Sequence, residues 1–448
     1  MKHDICHAPV SLATDAALSQ WNAMIRAFLS HGTETPVHLG AVLSAEPRFA
    51  MGHAAKGLFC LMLGRAEMVE TARDAARTAL AALAETAPQA RERLWVRALA
   101  EWLAGRPSGA IAAMEDILTA NPADTLSAKI SHAIRFILGD RYGMRSSIER
   151  ILPAHQDHGL RGFAMGCHAF TLEETGEYAA AERAGLEGLK HAPDDAWGLH
   201  AVAHVYDMTA RPDAGIALIE DNAAAWAHCN NFRYHVWWHK ALLHLEQGDF
   251  ATVLSVYDTE IRAEKTDDYR DISNATSLLT RLELEGVDIG SRWDELADIC
   301  EGRTGDGCLV FADLHYMLAL AGAGRSKARS DMRLRFARDA AQRGEMPARV
   351  ADPGQAALAG LEAFAEGQYA GAFEHLIAAR PAMQTIGGSH AQRDVFERLT
   401  IDAGLRAGRA DQTEALLADR MERRGGHEDR FTATRFQSLA EMRRIPAQ

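Results

Sequence analysis

The sequence predicts an all-α fold in which helical hairpins repeat along the chain as an α-solenoid. A turn centred on a small residue recurs at intervals of 34 to 41 residues, at Gly64, Gly105, Gly139, Gly176, Ala210, Gly248 and Gly286. Between these turns, apolar residues recur at spacings of three and four, which is the period of an amphipathic helix, and long alternating runs typical of strands are missing. An interval of this size is the length of a helix-turn-helix unit, so we expect stacked hairpins rather than one enlarged core.

The best-formed hairpin is expected at residues 162–195. Small Ala169 lies in its first helix, Gly176 at its turn, Tyr178 and Ala181 at the start of its second helix, and Pro193 at its end. Over these 34 residues the segment resembles a tetratricopeptide repeat. The following units keep the register to about residue 264. The resemblance implies that the first helix of each hairpin lines the concave face of a superhelix, closed enough to form a central pocket.

The C-terminal part continues the pattern with turns at Gly324, Gly367 and Gly408. Glycine- and proline-rich links at residues 347–354 and 386–388 are interpreted as elbows within the superhelix. Residues 1–448 are therefore predicted to form a single solenoid. A charged break precedes the last helical pattern, and we expect polar capping helices near residues 427–444.

The composition is that of a soluble globular protein, with 48% hydrophobic and 24% charged residues. Since 48 basic residues face 61 acidic ones without a basic run, nucleic acid is not expected as a partner. The N-terminus lacks the apolar core of a signal peptide and no run approaches the length of a membrane span, which predicts a cytoplasmic protein without a membrane partner. The six cysteines include no C-x-x-C pair and are expected to be buried thiols.

Two pairs of histidines, His200/His204 and His235/His239, are the strongest candidates for a functional site. A spacing of four places both rings of a pair on one helix face. About one such pair is expected by chance from this composition. Two pairs in adjacent repeats are less easily explained, and ten of the 20 histidines fall within residues 155–244.

The repeat register implied by the resemblance places His200, His204 and Asp207 on the inner face, together with His235 and Trp238 of the next unit. His239 lies one position away from this stripe. The sequence therefore predicts a divalent metal, zinc or similar, or general acid-base catalysis, and the candidate ligands are His200, His204, His235 and His239. Asp207 is expected to orient an imidazole or to complete the coordination. The alternative is that these imidazoles are hydrogen-bonded packing residues in a polar core.

Three further histidines are candidate catalytic residues at the rim of the pocket. His168 lies in the first helix of the preceding unit. His315 and His390 lie in remote segments that a superhelix can bring across its bore.

Residues beside the second histidine pair are candidates for substrate binding. Arg233 could bind a carboxylate, Trp238 could form an apolar wall, and Tyr234 lies next to them. Glu173 and Glu174, which precede a turn, are interpreted as part of a solvated face.

Four segments, at residues 200–205, 231–239, 314–319 and 388–394, together resemble the tetratricopeptide repeat protein 38 family. The similarity extends from about Trp21 to Arg409. It implies a cytosolic helical-repeat protein, and it leaves catalysis and binding equally open.

These observations predict a small-molecule enzyme, a hydrolase or a lyase, with a histidine-rich and metal-binding pocket. The rival prediction is a non-catalytic scaffold whose groove holds a peptide of a partner protein. The sequence contains no phosphate loop, no Gly-x-Ser-x-Gly elbow and no His-Glu-x-x-His motif that would name a reaction. It also leaves open whether the chain forms a homo-oligomer.

Overall fold

The computed structural model describes residues 2–444, and the regular secondary structure of this part of the chain is almost entirely helical. The predicted all-α fold of helical hairpins is thereby confirmed. The residues form two compact units. The first consists of residues 2–202 and 222–233, and the second of residues 203–221 and 234–444. The single solenoid over the whole chain stays a prediction.

The first unit begins with a short antiparallel strand pair, β1 (Lys2–His3) and β2 (Pro9–Val10). Ten helices follow: α1 (Asp15–Leu29), α2 (Thr35–Ala45), α3 (Ala50–Met62), α4 (Ala66–Glu85), α5 (Ala90–Leu103), α6 (Pro107–Ala120), α7 (Thr125–Ile137), α8 (Arg141–Ile151), α9 (Arg161–Glu174) and α10 (Tyr178–His191). Short 3-10 turns cover Leu152–His155 and Ala223–Ala225.

Two helices belong partly to each unit. Helix α11 (Ala196–Met208) leaves the first unit after Val202, and helix α13 (Phe232–Gln247) leaves it after Arg233. Helix α12 (Pro212–Asp221) lies wholly in the second unit.

The second unit continues with α14 (Phe250–Val256), α15 (Tyr269–Leu284), α16 (Arg292–Arg303), α17 (Val310–Gly322), α18 (Ser326–Ala340), α19 (Glu345–Arg349), α20 (Gln355–Ala365), α21 (Tyr369–Ala379), α22 (His390–Arg406), α23 (Ala410–Arg423) and α24 (Arg430–Arg444). Single π-helical turns cover Tyr257–Ile261 and Val350–Gly354, and a 3-10 segment covers Arg380–Ile386. In α24, Phe431 and Leu439 are buried in a core cluster with Leu416 and Leu417 of α23. Among residues 2–444, no helix combines the length and the apolar character needed to cross a membrane.

The predicted turn positions adopt the left-handed backbone conformation. Gly176, between α9 and α10, has a φ of 85°, and Gly248, between α13 and α14, has a φ of 75°. Glycine reaches this region without the clash that a Cβ atom causes. Ala210, between α11 and α12, takes the same conformation with a φ of 52° although it carries a Cβ atom. The chain therefore turns here with alanine in a conformation that favours glycine.

Helix α15 is unusual because polar and apolar side chains alike are buried along most of its length. Its buried polar residues are Asp271, Ser273, Asn274, Thr276, Ser277, Thr280 and Arg281. The helix packs against α16, α17 and α22, so it has little surface left for water. Polar groups in such a helix need partners inside the protein.

Candidate functional site

Three histidines of the second unit bring ring nitrogens to one point, and we call them the histidine cluster. His204 extends from α11, and His235 and His239 extend from successive turns of α13. One ring nitrogen of each lies within 4.8 Å of the others. Nε2 of His235 is 3.2 Å from Nε2 of His239. The residues are buried, with exposed fractions of 0%, 9% and 1%.

Asn274 and Trp238 fix the ring of His235. Nδ1 of His235 donates a hydrogen bond to Oδ1 of Asn274 at 3.0 Å, which leaves the lone pair on Nε2. The indole of Trp238 stacks on the imidazole with a centroid distance of 5.3 Å. Burial lowers the pKa of His235 to about 3, although the hydrogen bond to Asn274 opposes this shift. The imidazole is therefore neutral at pH 7.

His390 lies beside His204. It is the first residue of α22, and a capping box between Ser389 and Gln392 fixes the start of that helix. The ring centroids of His204 and His390 are 5.4 Å apart. A ring nitrogen of one lies within 4.8 Å of a ring nitrogen of the other. His204 is therefore a neighbour both of His390 and of the two histidines of α13.

A cleft in the second unit lies next to these residues. Its empty volume is about 370 Å³, which includes space open to solvent. Charged side chains dominate its lining: Asp207, Glu246, Arg281, Glu285, Asp394, Arg398 and Arg430.

Arg281 of α15 connects this cleft with the histidine cluster. Its guanidinium lies 5.6 Å from the ring centroid of Trp238, which stacks on His235. Its Nη2 donates to the backbone oxygen of Ala391, the residue after His390, at 2.7 Å. Arg281 follows Asn274 by about two helical turns, so the two side chains leave the same face of α15.

His200 belongs to the first unit, four residues before His204 on α11. Its ring stacks on Phe170 at 5.5 Å and lies 4.9 Å from the ring of Trp197. Its Nδ1 is 3.4 Å from the backbone oxygen of Trp197. These contacts embed the imidazole among aromatic rings, and its role as a metal ligand stays a prediction.

Three other candidates lie in α9 and in the first turn of α13. Nε2 of His168, in α9, is 3.5 Å from a carboxylate oxygen of Glu149. Nη1 of Arg233 donates to the backbone oxygen of Cys229 at 3.1 Å. Tyr234 is buried, with 3% of its surface exposed. Their predicted roles in catalysis and substrate binding stay predictions.

Asp207 contacts an arginine where the sequence suggested an imidazole. Its Oδ1 lies 3.4 Å from Nη2 of Arg424, which also donates to the backbone oxygen of Asp207. Arg424 is buried, and a buried guanidinium is stabilised by a carboxylate partner. Asp207 therefore takes part in the ion pairs around the cleft.

His315, in α17, is buried between aromatic side chains. Its Nδ1 donates to the backbone oxygen of Phe311 at 2.7 Å, and its ring lies 5.1 Å from that of Phe396. Nε2 has no hydrogen-bond partner among the described residues. Burial lowers the pKa of His315 to about 3. Its catalytic role stays a prediction, and its contacts are those of a packing residue.

The structure corrects the interpretation of Glu173 and Glu174 as a solvated face. Both are buried at the end of α9, with exposed fractions of 0% and 4%. Asn274 and Arg281 were not found from the sequence at all. The signal that could have indicated them is the row of Ser, Thr and Asn side chains in α15, which leaves no consistently charged face for water.

The histidine cluster offers nitrogen donors only. Such donors suit zinc, copper, nickel and iron, whereas calcium and magnesium prefer oxygen donors. An imidazole that is not bound to a metal can instead transfer a proton. The chemistry open to these residues is therefore metal binding, proton transfer or both.

Comparisons with known proteins add little to this chemistry. No family model matches the sequence, and the resemblance to the tetratricopeptide repeat protein 38 family stays a prediction. One similar solved structure is the human IFIT1 dimer with m7Gppp-AAAA, at 12% identity and a TM-score of 0.39, with 98% of this chain and 96% of that chain covered. Another is Naa15/Naa10 bound to HypK-THB, at 12% identity and a TM-score of 0.26, with 96% of this chain and 66% of that chain covered. At this level of similarity, neither bears on the function of this chain.

Proposed function

We propose that the histidine cluster binds a divalent metal, zinc or similar, and that the protein is a small-molecule hydrolase or lyase. The observation that carries the proposal is the separation of 3.2 Å between the Nε2 atoms of His235 and His239. Two nitrogens that each lie about 2.0–2.1 Å from a tetrahedral zinc ion are about 3.3–3.4 Å apart. His204 adds a third nitrogen donor within 4.8 Å of both.

The surroundings of His235 support the same function. Metal-binding histidines commonly donate the second ring N–H to an oxygen acceptor, which fixes the tautomer and the ring orientation. Asn274 supplies this acceptor through Oδ1. Trp238 covers one face of the imidazole and restricts its rotation.

A bound divalent cation would supply Lewis acidity toward a carbonyl or phosphoryl oxygen. Three protein donors are the usual number in catalytic zinc sites, because the remaining position is kept for water or substrate. We expect His390, whose ring centroid lies 5.4 Å from that of His204, to take or deliver a proton during the reaction.

The burial of the cluster favours a small molecule over a peptide of a partner protein. A scaffold would recognise its partner through exposed side chains along a groove. His204 and His239 expose at most 1% of their surface. A ligand that reaches them has to be small enough to enter the second unit.

The test has two parts, both with protein purified without a histidine tag. Elemental analysis before and after chelation is expected to find about one zinc or related ion per chain, and a content below about 0.1 per chain would overturn the metal part. Cell extracts are then incubated with the wild type and with the variant His204→Ala/His235→Ala, and metabolites are compared. A metabolite consumed only by the wild type supports an enzyme, provided that circular dichroism shows both proteins folded. If the metabolites of the two extracts are identical, the proposal that the protein is an enzyme is contradicted.

A further inference from the structure

Arg281 is buried, with 1% of its surface exposed, yet its guanidinium is only partly hydrogen bonded. Nη1 donates to the backbone oxygen of Ser277 at 3.1 Å, and Nη2 donates to that of Ala391 at 2.7 Å. Both acceptors are neutral. Nε has no partner among the described residues. An unpaired donor on a buried charged group is destabilising, so this arrangement calls for another acceptor.

The nearest carboxylate is engaged by other arginines. Asp394 Oδ2 lies 3.8 Å from Nη2 of Arg281, beyond hydrogen-bond distance. Asp394 binds Arg398 at 2.6 Å and Arg420 at 3.0 Å instead. Burial and the neighbouring Arg398 lower the pKa of Arg281 to about 9. Arg281 is thus the least compensated cation at the cleft.

More guanidinium groups than carboxylates take part in the ion pairs around the cleft, so the network has an excess of positive charge. Among the described residues, seven guanidinium groups belong to this network: Arg281, Arg398, Arg406, Arg420, Arg424, Arg430 and Arg435. Five carboxylates pair with them: Asp207, Glu285, Asp394, Asp402 and Asp429. The sixth carboxyl group, Glu246, has its pKa raised by burial and by the neighbouring Asp429, which favours its neutral form.

We propose that the cleft at Arg281 binds the carboxylate or phosphate group of a small molecule, which supplies the acceptor that Arg281 lacks. A guanidinium presents its N–H groups in a planar fork that suits both oxyanions. The ligand class is therefore an anionic metabolite.

The position of Arg281 connects this anion with the proposed reaction. Trp238 contacts both groups: the guanidinium of Arg281 lies 5.6 Å from the centroid of its indole, and the imidazole of His235 lies 5.3 Å from it. An anionic group on Arg281 would hold the rest of the ligand toward the histidine cluster. The inference that the anion is the substrate rests on the proposed function. The inference that the cleft binds an anion is independent of it.

Inorganic phosphate and acetate are suitable probes. Metal-free protein is titrated with each by calorimetry, with sodium chloride holding the ionic strength constant. We expect saturable binding of at least one probe at one site per chain. Arg281→Met should weaken it at least about tenfold, and Arg281→Lys, which keeps the charge but not the fork, should weaken it less. Arg443→Met, at an exposed ion pair with Glu414, is the matched control and should not change it.

Each result of these titrations either supports or contradicts an anion site at Arg281. Binding of phosphate alone indicates a phosphorylated ligand, and binding of acetate alone indicates a carboxylate. Failure of both probes to bind the wild type, or equal binding by Arg281→Met, would overturn the site. If Arg281→Met does not fold, wild-type crystals soaked in selenate or (methylseleno)acetate, matching the probe that bound, replace it. An anomalous selenium peak beside the guanidinium of Arg281 is then expected, and a peak elsewhere alone contradicts the proposal.

Failure of this inference is distinguishable from failure of the metal site. His239→Ala is expected to lose zinc and keep the anion, whereas Arg281→Met is expected to keep zinc and lose the anion. If the wild type binds the anion but no zinc, the metal proposal is wrong. If it binds zinc but no anion, the proposal for the cleft is wrong.

Discussion

The Nε2 atoms of His235 and His239 lie 3.2 Å apart on successive turns of α13, and this pair leads to the first prediction. His239→Ala removes one nitrogen donor and is expected to weaken zinc binding by more than about 100-fold, because a ligand contributes more than a residue that only supports one. Competition with a zinc-sensitive chelator measures the affinity. His244→Ala is the control on the same helix, since His244 faces Asp249 at 3.6 Å. Equal zinc affinity of His239→Ala and the wild type would argue against the metal site.

The hydrogen bond from His235 to Asn274 leads to a second prediction. Asn274→Ala removes the acceptor and should lower zinc affinity about 10–100-fold, as is typical when the partner of a metal-binding histidine is lost. Asn274→Asp keeps an oxygen acceptor at the same place and should retain most of the affinity. The same chelator competition compares the three proteins, and an equal loss in both variants would show that Asn274 acts through packing alone.

Asp394 is surrounded by arginines, and its charge should be important for stability. Asp394→Asn leaves Arg398 without its carboxylate partner at 2.6 Å, while Arg420 keeps Asp429 at 2.7 Å, and it is expected to destabilise the fold by up to about 3–5 kcal/mol. Arg443→Ala breaks an exposed ion pair and should change stability by less than about 1 kcal/mol. Urea unfolding followed by circular dichroism measures both, and similar midpoints for the two variants would contradict this assignment.

Burial of His315 predicts a pH dependence of stability. Its pKa is lowered to about 3 in the folded protein, whereas an unfolded histidine has a pKa of about 6.5. The unfolded state therefore binds the proton first, and this histidine destabilises the fold as the pH falls below about 6.5, by up to about 1.4 kcal/mol per pH unit. His315→Asn should remove this contribution, so the free energies of unfolding of wild type and variant should converge between pH 6.5 and 4. If the free energies of unfolding of wild type and variant change in parallel with pH, His315 is not the cause of the pH dependence.

The left-handed turn at Ala210 offers a stabilising substitution. Ala210 has a φ of 52°, a conformation in which a Cβ atom costs about 1–2 kcal/mol. Ala210→Gly removes that strain and, after the greater chain entropy of glycine, should stabilise the protein by up to about 1 kcal/mol. Gly176→Ala, at a turn with a φ of 85° and nothing within 4 Å of the added Cβ atom, should destabilise it by a similar amount. Thermal unfolding compares the two, and shifts of the same sign would refute the argument.

The sequence was sufficient for the helices, the turns and the two histidine pairs because these features are local. A turn glycine and a spacing of four depend only on neighbouring residues, and Gly176 and the pair His235/His239 needed no knowledge of distant segments. Asn274 and Arg281 were missed because they lie in α15, and the burial of this helix depends on its packing against α16, α17 and α22.

Longer-range contacts also explain the differences at single residues. Asp207 follows His204 by three residues, which favours an interaction between them, but Arg424 is more than 200 residues away in sequence and lies 3.4 Å from its carboxylate. Glu173 and Glu174 look solvated because charged pairs before a turn usually are, and their burial depends on tertiary packing at the end of α9.

The chain crosses between its two compact units after Val202, after Asp221 and again after Arg233. His204 and His235 each lie two residues from the nearest of these crossings toward the N-terminus. A cut of the chain after Val202 or after Arg233 would therefore divide α11 or α13, the two helices that carry the histidine cluster. The second unit also cannot be produced as one uninterrupted segment without residues 222–233, which belong to the first unit.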